Sequence, residues 1–346
     1  MIIVRVPCDR FNKLINTHMQ RIAINGFGRI GKVLTRLVQN NNQIELVAIN
    51  DLADTKTLAH LLKYDSVHRQ FDGTVDYTDD ALIINGKKVL VFSEKSPENL
   101  PWKSLDIDIV IECTGIFLTR ELANKHIIAG AKKIILSAPA KSDDIKTIVI
   151  GINDDLIEST DTIISNASCT TNAVAPMIKI LKDNFGIEQA QIATVHSYTN
   201  DQRLHDAPHR DLRRARAGAL SIIPTSTGAA KAIVKIFPDL KGKTAGYAVR
   251  VPVPDGSLID VCVQLSTNTD VSTINKAFLE AAQNSMKNIL EYTTDELVSS
   301  DIIGNSHSCI FDANLTSITG NLVRIVGWYD NEAGYSNRLV DLINKI

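Results

Sequence analysis

The sequence predicts an α/β protein with two sheets: a doubly wound parallel sheet in the N-terminal half, then an α+β arrangement whose sheet is mostly antiparallel. In the first half, buried-strand runs alternate with helical segments, as in sheets whose crossover helices cover both faces. These runs lie at residues 20–25, 44–50, 107–111 and 133–136. Longer strand-like runs follow at residues 191–199, 244–251, 258–265 and 322–328, with a helical segment at 271–287.

Length and composition are those of an ordinary globular protein. The chain has 346 residues, of which 44% are hydrophobic and 22% charged, and its formal net charge is −2. The length favours two domains, and the near-neutral charge gives no reason to expect a nucleic acid or a membrane as partner. The five cysteines are scattered without a CxxC pair, so neither a metal site nor a disulfide framework is expected, and a reducing, cytoplasmic compartment fits.

A glycine-rich turn follows the first strand. Gly26, Gly28 and Gly31 form a GxGxxG pattern that opens a helical segment. Such glycines allow a tight turn and let backbone N–H groups approach a pyrophosphate at the helix N-terminus. Asp51 ends the second strand 20 residues after Gly31, where a carboxylate can accept hydrogen bonds from a ribose diol. The pattern predicts a Rossmann-type dinucleotide site; the alternative is a purely structural glycine turn.

Cys169 is the candidate nucleophile. It lies among small hydroxyl and amide side chains where an apolar-periodic helix begins. A helix N-terminus favours the thiolate over the thiol, and the thiolate is the reactive form. His196, on a strand-like segment, is the candidate base that would pair with it. The alternatives are a buried structural cysteine and a histidine that merely packs in a sheet.

Three features could bind anions. The basic run at residues 209–216 offers arginines that suit a phosphate, although most could simply lie in a solvated loop or a subunit contact. The segment at residues 224–230 opens another helix with hydroxyls and a glycine, which an ordinary helix cap would also explain. Arg250 lies on an otherwise apolar strand and therefore needs a partner.

The chain is predicted to divide into a dinucleotide-binding domain and a catalytic domain. Residues 1–18 stand apart from the first strand, and we expect a disordered extension or a mis-assigned start. The cofactor domain would cover residues 19–167 and the catalytic domain residues 168–331, with a tight connection near residues 161–166. The final helical segment, residues 332–346, is expected to pack back on the cofactor domain.

Several ordered motifs resemble the phosphorylating glyceraldehyde-3-phosphate dehydrogenases, of the bacterial and plastid type, from about Arg21 onward. The matching segments are INGFGRIG (24–31), YDSVH (64–68), ECTG (112–115), SNASCTTN (165–172), TVHSYTNDQ (194–202), DLRRARAGALSIIPTSTGAAKA (211–232), RVPVPDGS (250–257) and GWYDNEAGYSNR (327–338). Two departures are visible: Arg69 stands where the family usually has glycine, and Lys95 where arginine is common.

The resemblance implies a role for each matching residue. Cys169 would be the nucleophile and His196 its base. The NAD cofactor would contact Gly26, Gly28, Arg29, Ile30, Gly31, Asp51, Lys95, Thr114, Ser137 and Asn331. The substrate phosphate and the attacking inorganic phosphate would be held by Ser168, Thr170, Thr199, Arg214, Thr227, Gly228 and Arg250.

The reaction implied by the resemblance is the oxidation of glyceraldehyde 3-phosphate to 1,3-bisphosphoglycerate through a cysteine thiohemiacetal and thioester, carried out by a homotetramer. Erythrose-4-phosphate dehydrogenase is the nearest alternative enzyme, and a catalytically silent binding or scaffold homologue is the alternative from another class. NAD should be preferred over NADP because Asp51 would repel a 2′-phosphate. The small Ala207, where the family often has leucine, could relax that preference.

Overall fold

The computed structural model describes residues 19–346, so the prediction for residues 1–18 lies outside the described residues. Its first sheet contains nine strands in the order β10-β11-β9-β8-β1-β2-β7-β6-β5, and β3 and β4 form a separate two-stranded sheet. The strands are β1 Gln20–Asn25, β2 Ile44–Asn50, β3 Tyr64–Asp65, β4 Arg69–Gln70, β5 Val75–Tyr77, β6 Ala81–Ile84, β7 Lys87–Phe92, β8 Ile109–Glu112, β9 Lys133–Leu136, β10 Lys146–Thr147 and β11 Ile163–Ser165. The helices of this half are α1 Arg29–Val38, α2 Thr55–Lys63 and α3 Arg120–Ile128.

The predicted parallel sheet is confirmed from β10 through β7, but its far edge is antiparallel. Here β6 and β7 form a hairpin around Asn85 and Gly86, whose φ angles of +50° and +78° suit a two-residue turn. An Asn-Gly pair between two apolar runs is a strong hairpin signal, so this edge could have been predicted from the sequence.

The second sheet has seven strands in the order β13-β14-β12-β15-β18-β17-β16. Its strands are β12 Ile187–Ser197, β13 Ile223–Thr225, β14 Thr244–Val251, β15 Ser257–Leu265, β16 Leu290–Thr293, β17 Cys309–Thr319 and β18 Leu322–Tyr329. Its helices are α4 Cys169–Phe185, α5 Ala229–Ile236, α6 Val271–Gln283 and α7 Ala333–Lys345. Four neighbouring pairs are antiparallel, while β12 with β14 and β16 with β17 are parallel, so the predicted mostly antiparallel sheet is confirmed.

Helix α4 lies at the centre of the second half and is buried along almost its whole length. It packs against α5, α6 and strands of the second sheet, with Val174, Ile178 and Leu181 fully enclosed. A helix that is apolar on most of its surface belongs in a core. The burial fixes the position of the residue with which α4 begins, Cys169.

Helix α7 leaves the second sheet after β18 and packs against α1 and α4. Its contact with α1 joins the end of the chain to the glycine turn. The division into domains at residues 167 and 331 stays a prediction. Among residues 19–346, no helix is long and apolar enough to cross a membrane.

Arg69, one of the two departures from the family pattern, adopts a backbone conformation that favours glycine. Its φ is +64°, in the left-handed region where an L side chain is strained. The family's usual glycine is therefore explained by backbone geometry at this position. The Arg69 carbonyl accepts a hydrogen bond from Arg36 at 3.1 Å.

Candidate active site

Cys169 is the first residue of α4, and Ser168 caps this helix. The Ser168 hydroxyl oxygen accepts a hydrogen bond from the Thr171 backbone N–H at 3.1 Å, which satisfies one of the donors that every helix N-terminus leaves unpaired. Helix α4 therefore begins at Cys169, as the sequence predicts.

The chain forms a tight, buried turn immediately before Cys169. Ala167 has a φ of +57°, which a residue with a side chain adopts only under local constraint. Three hydrogen bonds supply that constraint. The Ala167 carbonyl accepts a hydrogen bond from the Tyr335 hydroxyl at 3.2 Å, and the Asn172 amide donates to the carbonyls of Asn166 and Ser168 at 2.9 and 3.0 Å. Helices α4 and α7 together thus fix the position of the thiol.

His196 meets Cys169 across the fold. It lies near the end of β12 and is 4% exposed. Its Nε2 is 3.5 Å from the Cys169 sulfur, which is hydrogen-bond distance for this pair. The parallel register of β12 and β14 places Arg250 directly beside His196, and the Arg250 Nη1 is 2.5 Å from the histidine Nδ1. The nucleophile, its partner base and a cation therefore form one chain of contacts.

Burial governs the ionisation of this pair. It raises the pKa of the Cys169 thiol, although the charge of Arg250 and hydrogen bonds from Thr170 act in the opposite direction. Burial, together with the neighbouring charge of Arg250, also lowers the pKa of His196 to about 3. Burial thus opposes the effect of the helix N-terminus on the thiol, and the activation of Cys169 by His196 stays a prediction.

A cleft of about 1450 Å³ runs from the glycine turn to Cys169 and His196. Most of the predicted site residues line it: Gly26, Gly28, Arg29, Ile30, Asp51, Lys95, Thr114, Ser137, Asn331, Ser168, Thr199 and Arg250. The volume exceeds that of a typical site for a small ligand and is suited to a dinucleotide.

The glycine turn has the geometry that a pyrophosphate requires. Gly26 has a φ of +95°, and a Cβ there would lie 2.8 Å from Thr114. A Cβ on Gly31 would lie 2.5 Å from the Gly26 carbonyl, so this glycine lets α1 pack against β1 and does not line the cleft. A Cβ on Gly28, at the N-cap of α1, would meet nothing within 4 Å. Because Gly28 has no side chain, the helix N-terminus stays open to an anion.

The two ends of the cleft also fit the cofactor. At one end, the Asp51 carboxylate accepts hydrogen bonds from the backbone N–H groups of Phe27 and Ala53 at 2.7 and 3.0 Å, which hold it at the end of β2. At the other end, the Asn331 Oδ1 accepts hydrogen bonds from the hydroxyls of Ser197 and Ser257 at 2.8 and 2.7 Å. These two donors fix the amide orientation and leave its NH₂ as a donor for a carboxamide oxygen.

Five of the predicted site residues do not line the cleft: Gly31, Thr170, Arg214, Thr227 and Gly228. The Thr170 hydroxyl is 3.0 Å from the Tyr329 hydroxyl in the interior. Arg214 forms an ion pair with Asp201 and donates to the Thr225 hydroxyl at 2.9 Å. Thr227 accepts a hydrogen bond from the backbone at the start of α5, and Gly228 is exposed beside it.

Arg29 does more than line the cleft. Its guanidinium contacts the carboxylates of Asp65 and Glu332, each at 2.5 Å at the closest approach. It therefore joins the start of α1 to the segment between β18 and α7. Planar guanidinium groups suit such paired carboxylates. The sequence motif identified Arg29 by its place in the turn, and the structure shows that its side chain links the two halves of the protein.

The sequence analysis missed Tyr329 and the two serines that hold Asn331. The Tyr329 hydroxyl lies 3.0 Å from that of Thr170 and 2.9 Å from that of Thr194, and its ring packs edge-on against His196. Tyr329 follows an apolar run at the end of β18, where a tyrosine is an ordinary core residue. Its role depends on contacts between strands, so no local signal could have identified it.

A cluster of carboxylates lies beneath the site. Asp255 is fully buried, and burial together with Asp330 and Glu332 raises its pKa to about 9. His68 lies 2.9 Å from Glu332 and 3.7 Å from Asp255, so these three could share a cation. However, Arg29 already supplies a positive charge beside Glu332, and the raised pKa of Asp255 leaves that carboxyl neutral, so little uncompensated negative charge remains in the cluster.

Asp255→Asn should make the protein less sensitive to alkaline pH. The folded protein keeps a proton on Asp255 that the unfolded chain releases above about pH 4, so stability falls as the pH rises toward 9. The neutral asparagine removes this loss. The melting temperature should decline less between pH 6 and pH 8.5 in the variant than in the wild type. The exposed Asp72→Asn is the control, and equal declines in all three proteins would contradict the prediction.

A dinucleotide cleft on a parallel sheet, ending at a cysteine–histidine pair, is the site of an NAD-dependent oxidoreductase. Comparison with known families agrees. The family model described as "Glyceraldehyde 3-phosphate dehydrogenase, NAD binding domain" matches residues 20–120, and that of the C-terminal domain of the same family matches residues 168–331. The chain belongs to the glyceraldehyde-3-phosphate dehydrogenase family.

Relatives match over almost the whole chain. A glyceraldehyde-3-phosphate dehydrogenase of Thermotoga maritima is 56% identical over 331 residues, covering 95% of this chain and 99% of the relative. Those of Streptomyces coelicolor and Geobacillus stearothermophilus are 54% and 52% identical, each covering 93% of this chain and 97% and 96% of the relative. The resemblance inferred from the motifs is confirmed, as are the fold class, the enzyme class and NAD as cofactor.

Proposed function

We propose that this protein oxidises glyceraldehyde 3-phosphate to 1,3-bisphosphoglycerate with NAD and inorganic phosphate. The observation that carries the proposal is the 3.5 Å contact between Cys169 and His196 at the end of a cleft that fits a dinucleotide. NAD, when bound, supplies the acceptor for the hydride that leaves the substrate. Neither erythrose-4-phosphate dehydrogenase nor a silent homologue is favoured, because the relatives carry the glyceraldehyde-3-phosphate name and Cys169 and His196 are both in place.

The Cys169 sulfur is the nucleophile in this proposal. His196 accepts the thiol proton at Nε2, and the thiolate attacks the aldehyde carbon to give a thiohemiacetal. The backbone N–H groups at the start of α4 stabilise the oxyanion that forms on the carbonyl oxygen. The imidazolium of His196 returns its proton to this oxygen, so that the thiohemiacetal carries a hydroxyl and the imidazole is neutral again. When the hydride leaves, His196 takes the hydroxyl proton and a thioester remains. One phosphate oxygen then attacks the thioester carbonyl, the acyl phosphate departs, and the cysteine sulfur is released as thiolate.

Two groups of residues serve the two phosphates. Ser168, Thr199 and Arg250 line the cleft beside Cys169 and suit an anion close to the sulfur. Arg214, Thr227 and Gly228 lie on the neighbouring segment that joins β12 to α5, where Arg214 would exchange its ion pair with Asp201 for a phosphate. Thr170 would contribute indirectly. Through the contact between its hydroxyl and that of Tyr329, it would keep the residues around the Cys169 sulfur in position.

The proposal is tested by following NADH formation with the purified protein. Glyceraldehyde 3-phosphate with inorganic phosphate should give sustained turnover. Omitting phosphate should leave only a burst of about one NADH per active site, because the thioester then accumulates. Erythrose 4-phosphate should be used with a much lower kcat/KM. Turnover that does not need phosphate, or a preference for erythrose 4-phosphate, would contradict the proposal.

Asp51→Asn should weaken the preference for NAD. The substitution keeps the size of the side chain but removes a charged hydrogen-bond acceptor, so kcat/KM with NAD should fall by about 10–100-fold. The value with NADP should fall less or rise, since the repulsion of a 2′-phosphate is relieved. The measurement is the ratio of kcat/KM for the two coenzymes. An unchanged ratio would show that another group, such as the exposed segment at Ala207, decides the choice.

The proposed assembly is a homotetramer. Large apolar side chains are exposed on the segment that joins β12 to β13: Leu204, Leu212, Leu220 and Ile222 are 70–82% exposed. We infer that these four side chains, concentrated on one segment, are covered by another subunit. Replacing Leu212 and Leu220 by aspartate should therefore lower the mass measured by light scattering, whereas Leu156→Asp, on another exposed site, should not. A wild-type monomer would contradict the tetramer.

The proposed location is the cytoplasm, where the free cysteines Cys113, Cys169, Cys262 and Cys309 would remain reduced.

A further inference from the structure

Three polar side chains lie side by side at the edge of the first sheet where the cofactor cleft begins. Glu112, Asn25 and Asn50 are the last residues of β8, β1 and β2, which are neighbouring parallel strands. The register pairs Asn25 with Asn50 on one side and with Glu112 on the other. Asn25 and Asn50 line the cleft, whereas Glu112 is fully buried. The carboxyl ends of parallel strands are where such sheets bind their ligands.

The side chains of these three residues form one chain of hydrogen bonds. The Asn25 NH₂ donates to the Glu112 Oε2 at 2.5 Å, and the Asn25 Oδ1 accepts from the Asn50 NH₂ at 2.7 Å. The Asn50 Oδ1 accepts from the Glu94 backbone N–H at 2.8 Å. Each amide therefore has its oxygen and its nitrogen assigned by a neighbour. The wall that Asn25 and Asn50 form thus has a single orientation of its polar groups.

The second oxygen of Glu112 holds the loop that follows β8. Its Oε1 accepts a hydrogen bond from the Thr114 backbone N–H at 2.7 Å and contacts the Thr114 hydroxyl. That hydroxyl accepts in turn from the Ile116 backbone N–H at 3.1 Å. Thr114 and Ile116 both line the cleft. One buried carboxylate therefore joins the wall at Asn25 to the wall at Thr114.

His126 and Trp102 support this carboxylate from the interior. The Trp102 Nε1 lies 3.0 Å from the His126 Nδ1 and can only donate a hydrogen bond. Nδ1 therefore carries no proton, and the ring proton lies on Nε2, which is 3.4 Å from the Glu112 Oε2. Glu112, His126 and Trp102 are all fully buried, so donors from bulk water cannot replace the ones that the protein supplies. A buried acceptor that loses its donors is costly.

We propose that Glu112 is a positioning residue for the cofactor, which holds Asn25 and Thr114 in the orientation that the adenosine half of NAD meets. Asn50 directly precedes Asp51, so this part of the cleft is the end where Asp51 would bind a ribose, while Cys169 lies at the other end. Glu112 therefore acts on the affinity for the coenzyme and not on the chemistry. The inference requires NAD as cofactor and does not depend on which aldehyde is oxidised.

The first test is Glu112→Gln, which keeps the size of the side chain but replaces one acceptor oxygen by a donor NH₂. Both carboxylate oxygens face N–H donors, so the new amide must turn its NH₂ toward a donor on Asn25 or on Thr114. The dissociation constants of NAD and of ADP-ribose, measured by calorimetry without aldehyde, should both rise by about tenfold. The value of kcat at saturating NAD should change by less than about twofold, because the reacting groups lie at the other end of the cleft.

The double variant Glu112→Gln/Asn25→Asp supplies a rescue, because it exchanges the carboxylate and the amide. The amide at position 112 can then donate to the carboxylate at position 25 and accept from the Thr114 N–H, while that carboxylate still accepts from Asn50. The His126 Nε2 is 3.4 Å from the Asn25 Nδ2, so its proton can reach the carboxylate there as well. Both dissociation constants should return to within about threefold of the wild type. Asn25→Asp alone places two carboxylates side by side and should not show this recovery.

Asp312→Asn is the matched control. Asp312 is another buried carboxylate that accepts a hydrogen bond from a tryptophan, the Nε1 of Trp328 at 3.1 Å. It lies on β17 and does not line the cleft. Its replacement should change the melting temperature without changing either dissociation constant.

Three results would overturn the proposal: a weaker affinity of Glu112→Gln for NAD but not for ADP-ribose, a fall in kcat as large as the loss of affinity, or a double variant that binds no better than Glu112→Gln. If Glu112→Gln does not fold, Trp102→Phe keeps a ring in the core and removes the donor to His126. Both dissociation constants should then rise by about threefold, and unchanged values would also overturn the proposal. Failure to oxidise glyceraldehyde 3-phosphate would contradict the proposed function and leave these binding results in force.

Discussion

Replacing Cys169 by serine should lower kcat/KM for the aldehyde by about 10⁴-fold or more, since loss of a nucleophile removes the covalent route altogether. A serine hydroxyl beside the neutral His196 would be a far poorer nucleophile than the thiol. The cofactor cleft should stay intact, so the affinity for NAD, measured by quenching of tryptophan fluorescence, should change little. Rates are measured by NADH formation, with Cys262→Ser as the control because Cys262 lies on β15 outside the cleft.

Brief alkylation provides an independent check of the nucleophile. Burial raises the pKa of every described cysteine, that of Cys113 to about 12, so a helix terminus alone does not make one of them reactive. Only Cys169 has a histidine at hydrogen-bond distance among the described cysteines. Mass mapping should find the label there, with activity lost in parallel. Label at Cys113 or Cys262 with activity retained would remove Cys169 from the mechanism.

His196→Asn should lower kcat by about 10²–10⁴-fold, which is the usual contribution of a positioned acid–base group. Asparagine is shorter than histidine and cannot accept the thiol proton. The remaining activity should rise with pH, as hydroxide replaces the missing base, while NAD binding is retained. His60→Asn, at an exposed site on α2, is the control. Near-normal turnover in the His196 variant would show that the histidine only packs in the sheet.

Local features of the site were predictable from the sequence. The glycine turn, Asp51 and the cysteine at the start of a helix each depend on residues close together in the chain, where geometry follows from residue type. The parallel strands β1, β2 and β9 were predicted with their observed bounds for the same reason. The antiparallel edge at Asn85-Gly86 also carried a local signal, and the sequence analysis overlooked it.

The long-range features were not predictable in this way. The contact between His196 and Arg250 depends on the register of β12 against β14, which no pattern within either strand specifies. The placement of Asn331 depends on hydroxyls from two other strands. The ionisation of Cys169 depends on the depth at which the helix terminus is buried, which a sequence does not show. Tertiary contacts decide all three.

The contact between α1 and α7 has a consequence for how the protein is made. Helix α1, whose buried residues include Leu34 and Val38, has one face covered by α7, whose own buried residues include Leu339 and Leu342. On a ribosome, α1 emerges among the first elements and α7 among the last, so the whole stretch from residue 39 to residue 332 is synthesised before that face is covered. Nascent chains thus expose apolar surface for most of their elongation, which makes them candidates for chaperone binding and for early aggregation. Release of the final dozen residues then completes the packing next to the cofactor cleft.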